Sequence, residues 1–241
     1  MRMLTGQHEI AFADRSHGGP HQRLAGLAAA VGDVTPDQLA ALTLPEWEEH
    51  LLAIRVAVAG QRIEAEATCP ACGAGVSLSF LAEELPREAV VGSEEFGPLS
   101  LGDLTAVEAE GLRGEAALAA LLAVSLGLDR DRAALRLAGP ERARIIAALE
   151  VRAAGLGLEI GTACAECDAT MVLPFDVAAF VDGEMGARAA RLLDEVHLVA
   201  QSYHWSEAEI LGLPALRRQS YLDRILATGT VGVLAPSAGR A

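Results

Sequence analysis

An internal repeat constrains this chain more than any other feature. Pro45-Glu46 and Pro140-Glu141 each stand 24 residues ahead of a Cys-x-x-Cys pair, and a shift of 95 residues lays residues 45–81 on residues 140–176 without a gap. Twelve of the 37 aligned positions are identical, including both cysteines of each pair, Gly60/Gly155, Glu64/Glu159, Leu78/Leu173 and Phe80/Phe175. Apolar character is kept at Leu51/Ile146, Ile54/Leu149 and Ile63/Leu158. An Ala-rich composition yields scattered identities, but not cysteines, Pro-Glu and Phe in one register, so we read a tandem duplication. A weaker similarity upstream sets Leu4-Thr5-Gly6 against Leu99-Ser100-Leu101-Gly102 with a one-residue shift.

Each copy parses in the same way. Pro45 belongs in the first turn of a helix, where its missing N–H is one of the unpaired ones anyway. Leu51, Leu52, Ile54 and Val58 then form an apolar face at helical spacing, and Gly60 ends the helix. A strand follows over 61–68, with Ile63 alternating against Arg62 and Glu64. After the turn Cys69-Pro70-Ala71-Cys72-Gly73 comes a second strand in which Val76, Leu78 and Phe80 share one face. The second copy repeats this as a helix over 140–152 and strands over 158–163 and 170–175, around Cys164-Ala165-Glu166-Cys167. The chain therefore divides into an N-terminal module (1–81), an acidic linker (82–100), a second module (101–183), a C-terminal helical segment (184–227) and a flexible tail (228–241). The linker carries Glu83, Glu84, Glu88, Glu94 and Glu95 against a single Arg87, with Pro86, Gly92, Gly97 and Pro98 as breakers. Helices resume over 104–109 and 114–126, residues 15–20 read as a loop, and Gly155-Leu156-Gly157 reads as a helix-ending turn.

Composition narrows the function. All 19 basic residues are Arg, and neither Lys nor Asn occurs, which fits a GC-rich source genome. A phosphate-loop lysine, a Schiff-base lysine and a lysine general base are thereby excluded, which argues against nucleotide-hydrolysing and pyridoxal enzymes. The formal net charge of -14 argues against nucleic acid as a partner, because displacing phosphate counterions requires a positive footprint. The first ten residues lack the apolar stretch of a secretory signal. The longest uncharged helical stretch, 116–128, is short of the roughly 20 residues that a membrane span needs. The expectation is a cytoplasmic protein with no membrane span. In that reducing compartment four cysteines point to metal binding or redox chemistry instead of disulfides.

Two Cys-x-x-Cys turns are the strongest chemical signal. Tetrahedral zinc takes four soft ligands, and each such turn sets two thiolates on one side of a site. In the first copy Gly73 is suited to a left-handed conformation just after the second ligand; in the second copy Ala165 replaces Pro70 and Asp168 replaces Gly73. A redox Cys-x-x-Cys is expected to open a helix, whereas strand-like segments flank both of these. The 91 residues between Cys72 and Cys164 far exceed the spacing of a compact zinc ribbon, and the duplication supplies an explanation. Two hairpins related by a pseudo-twofold axis each donate a pair, so Cys69, Cys72, Cys164 and Cys167 are expected to hold one structural Zn2+ per chain. Sites completed between chains, and cysteines without metal, are the alternatives. The expected fold class is α+β, mostly helical, with two duplicated zinc-knuckle β-hairpins and a helical C-terminal segment.

Other chemistry is sparse. The six histidines form no HExxH motif, the paired acids read as solvated faces, and no nucleophile elbow occurs, so no enzyme is expected. Near the C-terminus, residues 187–203 read as an amphipathic helix with Leu192, Val196, Val199 and Tyr203 on one stripe. Ser206 caps the next helix, with Glu209 reaching back and Trp205 placed to staple onto Ile210. After Leu213-Pro214 a last helix carries Arg217, Arg218, Tyr221, Leu222 and Ile225. Trp205, Arg217, Arg218 and Tyr221 are the candidate partner-binding residues, because aromatics and Arg dominate interface hot spots.

The segment running from Arg191-Leu-Leu-Asp-Glu-Val through Trp205-Ser206-Glu207 to Leu213-Pro214, Arg217-Arg218 and Tyr221 resembles the baseplate hub assembly chaperone family of contractile phage tails and phage-tail-like contractile injection systems. The CPxCG-type knuckle and Phe175-Asp176 are similar as well. The resemblance covers roughly residues 164–225, with the N-terminal copy matching more loosely; Ala165 and Asp168 depart from the knuckle pattern. It implies a non-enzymatic assembly factor or minor structural component of the baseplate or hub, with baseplate or hub/spike proteins as partners and no catalytic residues. The alternative function is a zinc-ribbon protein–protein adaptor in a transcription or regulatory complex.

Overall fold

A computed structural model describes residues 5–14, 18–32, 34–85, 95–153 and 158–231. The order is α1 (Gly6–Asp14), α2 (Pro20–Val31), α3 (Pro36–Ala40), α4 (Leu44–Ala59), β1 (Arg62–Thr68), β2 (Gly75–Leu81) and a 3-10 turn (Ala82–Glu84). Then follow α5 (Leu101–Ala109), α6 (Gly114–Leu126), α7 (Arg130–Leu137), α8 (Arg142–Ala153), β3 (Glu159–Ala163), β4 (Thr170–Pro174), α9 (Val177–Tyr203), α10 (Glu207–Leu211) and α11 (Ala215–Val231). The fold is α+β and mostly helical, with two separate two-stranded antiparallel sheets, β1–β2 and β3–β4.

The repeat reaches further than the sequence alone reveals. Moving α1 by 95 residues lands on α5, α2 on α6, α3 inside α7, α4 on α8, and each hairpin on its counterpart. Thr5 and Ser100, which precede α1 and α5, stand at the same offset, so the upstream similarity needs no one-residue shift. Their first turns close alike: the Thr5 amide donates to His8 Nδ1 at 3.1 Å, and the Ser100 amide to Asp103 Oδ2 at 2.8 Å. What the helix pairs share is confined to packing and caps. Leu27, Ala28, Leu122 and Ala123 are all buried, and Gly32 and Gly127 end α2 and α6.

The two copies make unequal cores. The first unites α1, α2 and α4 with Ile63, Leu158, Phe175 and the start of α9 around the fully buried Trp47. The second is smaller and joins Phe96 to α6, α7 and α8. The copies are tied across their middle: the Leu44 amide donates to the Leu99 carbonyl at 3.2 Å and the Leu101 amide to the Leu42 carbonyl at 2.9 Å. Glu108 of α5 accepts the His21 and Gln22 amides at 3.2 and 3.0 Å. A carboxylate from one copy thus caps the otherwise unpaired first turn of α2 in the other.

Helix α9 organises the remainder. Sequence periodicity starts this helix at 187, but it begins ten residues earlier, where the Asp176 side chain accepts the Ala179 amide at 2.8 Å. It runs without a break through 183 and 184, where the sequence places a module boundary. Three arginines from three other helices hold it: Arg23 forks onto Asp182 and Arg55 onto Glu184, and Arg218 donates its Nε to Glu195. Val177, Ala178, Val181, Met185, Ala189 and Leu192 form its buried face, which these acids flank. Helix α8 begins at Arg142, two residues after the expected start, and α11 extends to Val231. The middle of the candidate linker (86–94), part of the 15–20 loop (15–17), the candidate turn at 155–157 and residues 232–241 of the tail lie outside the described residues.

Candidate metal centre

Both hairpins are built on strands whose inner faces are apolar. In β1–β2, Ile63 pairs with Phe80 and Ala65 with Leu78; in β3–β4, Ile160 pairs with Leu173 and Thr162 with Met171. Phe80 and Phe175, equivalent in the two copies, meet edge to face with centroids 5.5 Å apart at 85°. That contact sets the hairpins side by side and aims both tips the same way.

The tips are near-identical turns. The Cys69 amide donates to the Ala74 carbonyl at 2.8 Å and the Gly73 amide to the Cys69 carbonyl at 2.9 Å; the counterparts Cys164–Ala169 and Asp168–Cys164 measure 3.0 and 2.9 Å. Closing such a turn requires a left-handed residue just after the second cysteine. Gly73 takes it with φ +76° and Asp168 with φ +57°, so the departure from the knuckle pattern changes the residue and keeps the backbone.

The four sulfurs converge, with every pair within 4.8 Å. Two contacts run between hairpins: Cys69 Sγ to Cys167 Sγ at 3.8 Å, and Cys72 Sγ to Cys164 Sγ at 3.7 Å. A pseudo-twofold that exchanges Cys69 with Cys164 and Cys72 with Cys167 maps one contact onto the other. Burial follows the same symmetry, since Cys69 and Cys164 are buried and Cys72 and Cys167 exposed. Four thiolates set tetrahedrally at about 2.3 Å around an ion are spaced by about 3.8 Å, so the observed contacts have the length of a tetrahedral edge and far exceed a disulfide bond. Four cysteines this close could hold a metal ion, and among the described residues they are the one group of His, Cys, Asp and Glu donors that converges in this way.

Local dipoles favour thiolates here. The amides of Cys72 and Ala71 point at the Cys69 sulfur and lower its pKa to about 7, with the Cys72 amide the larger cause. The Ala74 amide acts in the same sense on Cys72, but the crowding thiols of Cys167, Cys69 and Cys164 outweigh it and push Cys72 up to about 12. Loading a metal must therefore expel the proton that the cluster retains. Met171, Val76, Leu173, Ala74 and Ala169 close an apolar collar beneath the inner sulfurs.

The other candidate residues are distributed differently. Trp205 and Tyr221 are half-buried and meet nearly perpendicular at 4.9 Å, with Tyr203 stacked on Trp205 at 5.2 Å. Tyr203 is a third member that the sequence placed only on a helix stripe; His204 at φ +56° turns the chain so that residues 203 and 205 stack. Arg217 is exposed. Arg218 requires a correction: it is 2% exposed and holds Glu9 at 3.1 Å and Glu195 at 2.5 Å, so it clamps α11 to α1 and α9 instead of projecting from the surface. Glu9, 209 residues away, is its buried counter-ion, and sequence periodicity carries no signal for such a pair. No helix among the described residues is long and apolar enough to cross a membrane. Comparison with protein-family models, with curated proteins and with solved structures found no match for the chain.

Proposed function

We propose that the protein is a non-enzymatic, zinc-stabilised assembly factor or minor structural component of the baseplate or hub of a phage-tail-like contractile injection system. The observation that carries the metal half is the pair of cross-hairpin sulfur contacts at tetrahedral-edge length. Zinc suits four thiolates because it has no geometric preference of its own beyond what the ligands offer, and four protein ligands leave no open position for a substrate. That supports a structural ion and a protein that acts by binding.

The assembly half rests on the resemblance of residues 164–225 to hub assembly chaperones. Helices α9, α10 and α11, which carry the resemblance, supply a surface for such a role. Leu216, 81% exposed, stands beside exposed Arg217. Leu216 borders a groove of about 830 Å³ between the end of α4, α9 and α11, lined also by Val56, Val58, Leu198 and Leu222. Trp205 and Tyr221 support this surface from within, because they pack on Val199, Ile210 and Leu222. The net charge of -14 disfavours nucleic acid as the partner.

The test is gentle purification of the tagged protein from its native host, with mass spectrometry of the chains that accompany it. Hub, spike or baseplate subunits are expected; transcriptional or regulatory subunits instead would overturn the assignment and favour an adaptor. Leu216→Glu with Arg217→Glu should reduce capture at least tenfold while the melting temperature stays unchanged, because both side chains are exposed.

A further inference from the structure

The sulfur cluster offers more chemistry than metal holding, and its geometry selects the products. Both sulfur contacts of hydrogen-bond geometry join a cysteine of one copy to a cysteine of the other, at 3.8 and 3.7 Å, within a cluster whose four sulfurs all lie inside 4.8 Å. The exposed sulfurs, Cys72 and Cys167, each touch a buried one, Cys164 and Cys69 respectively. An oxidant arriving from solvent therefore meets an outer sulfur that has its resolving thiol directly behind it, on the opposite hairpin.

The geometry points to a peroxide-reactive centre that, on oxidation, exchanges its metal for two disulfides between the hairpins, Cys69–Cys167 and Cys72–Cys164. This rests on the metal-site reading for the starting state and takes a hydroperoxide as the oxidant. The outer thiolate attacks one peroxide oxygen, the O–O bond breaks, and a sulfenic acid forms while the departing hydroxide takes a proton and leaves as water. The contacting inner thiolate then attacks the sulfenyl sulfur; an S–S bond forms and the second oxygen leaves as hydroxide, which takes a proton from solvent to become water. Each disulfide costs the sulfurs two electrons, which reduce one peroxide to two waters. Two peroxides thus convert the four cysteines, and the ion departs with no ligand left to hold it.

The consequence differs from that of an ordinary knuckle. Disulfides within each Cys-x-x-Cys would leave the hairpins unlinked, whereas the cross-linked form keeps them covalently side by side without metal. The contacting sulfurs need close only from 3.7–3.8 Å to about 2.0 Å. The backbone bonds that fix each turn stay in place.

The sequence provides a direct assay. Cleavage after arginine places Cys69 and Cys72 together on peptide 63–87, and Cys164 and Cys167 together on peptide 153–188. The purified full chain is assayed first for bound metal, then treated with hydrogen peroxide while a chromophoric chelator reports metal release, then alkylated, digested and weighed without reduction. We expect the two peptides to appear as one species, four hydrogens lighter than their sum, with release of one ion accompanying its formation. Fragmentation within the species should link Cys69 to Cys167 and Cys72 to Cys164. Two separate peptides, each two hydrogens lighter, would overturn the proposal, as would alkylated cysteines after peroxide treatment. The variant Cys72→Ser with Cys164→Ser retains only the Cys69–Cys167 contact and should still join the peptides, whereas Cys72→Ser with Cys167→Ser should join them at least tenfold more slowly; equal rates would contradict the geometric selection. Absence of metal in the starting protein would count against the metal reading alone, because the mapping applies equally to the reduced, metal-free chain.

Discussion

Arg218 and Glu9 lie almost wholly out of water, 2% and 3% exposed, and each is the other's buried counter-ion. Replacing Arg218 with Met leaves the Glu9 carboxylate buried with only the longer 3.6 Å contact to Arg188. It should cost about 3–5 kcal/mol, read as a lower denaturation midpoint; a loss under about 1 kcal/mol would show that the pair is not buried as described. Lysine should not rescue it, because one ammonium cannot reproduce the guanidinium fork that reaches both Glu9 and Glu195. At the hairpin tips the sign reverses. Asp168 holds a left-handed conformation that costs a side-chain-bearing residue about 1 kcal/mol, and no such cost falls on Gly73. Asp168→Gly should therefore stabilise the metal-loaded protein by up to about 1 kcal/mol, and Gly73→Ala should destabilise it by about as much. Equal effects of one sign in both hairpins would contradict their equivalence.

At the scale of elements, capping and burial set the pH response. Glu46 and Glu209 accept the amides and hydroxyls of Thr43 and Ser206 at the starts of α4 and α10, and these bonds hold both carboxyls below the ordinary value of 4.5. Their contribution is complete above that value and is lost as the pH falls through the lowered ones. His21 is displaced downward from 6.5 chiefly by burial, so its contribution is likewise present above 6.5 and declines as the pH drops below it. Thermal melts should show stability falling first below about pH 6.5 and again below about pH 4.5, with Glu46→Gln and Glu209→Gln flattening only the second decline. The Ser206–Glu209 cap was legible in the sequence because the capping box is local, as were both hairpins, whose alternation and turn residues occur within a few positions. The early start of α9 was not, because it places Gly183 and Gly186 inside the helix. Each costs about 1 kcal/mol in a helix interior, which the forks from Arg23 and Arg55 and the apolar side of α9 offset. The matching of α1–α3 with α5–α7 was hidden for another reason: the copies share mainly buried and cap positions there, too few to stand out in an Ala-rich chain. The burial of Arg218 was illegible because its partner lies at the other end of the sequence.

Taken whole, the molecule is a duplicated chain whose halves close on each other at several places, among them the exchanged bonds near Leu42–Leu44 and Leu99–Leu101, the Glu108 cap on α2, the Phe80–Phe175 contact and the four sulfurs. The others rest on packing and hydrogen bonding, and only the sulfurs could hold a metal. Removing the ion with a chelator under reducing conditions should therefore leave far-UV helical content within about a tenth of its starting value while the melting temperature falls, since metal-binding energy is folding energy. Metal affinity should climb with pH, because the cysteines must shed protons to bind; a competition titration at two pH values checks this. The convergence of cysteine pairs separated by 91 residues was legible only through the repeat, because no local spacing specifies it. The measurement that tests this centre most directly is the metal content of the monomeric chain, taken beside two variants, Cys69→Ser with Cys72→Ser and Cys164→Ser with Cys167→Ser. The shared site predicts one zinc per chain, lost from both variants alike; a variant that keeps its metal would mean that the two hairpins bind separately, and the central claim would fall.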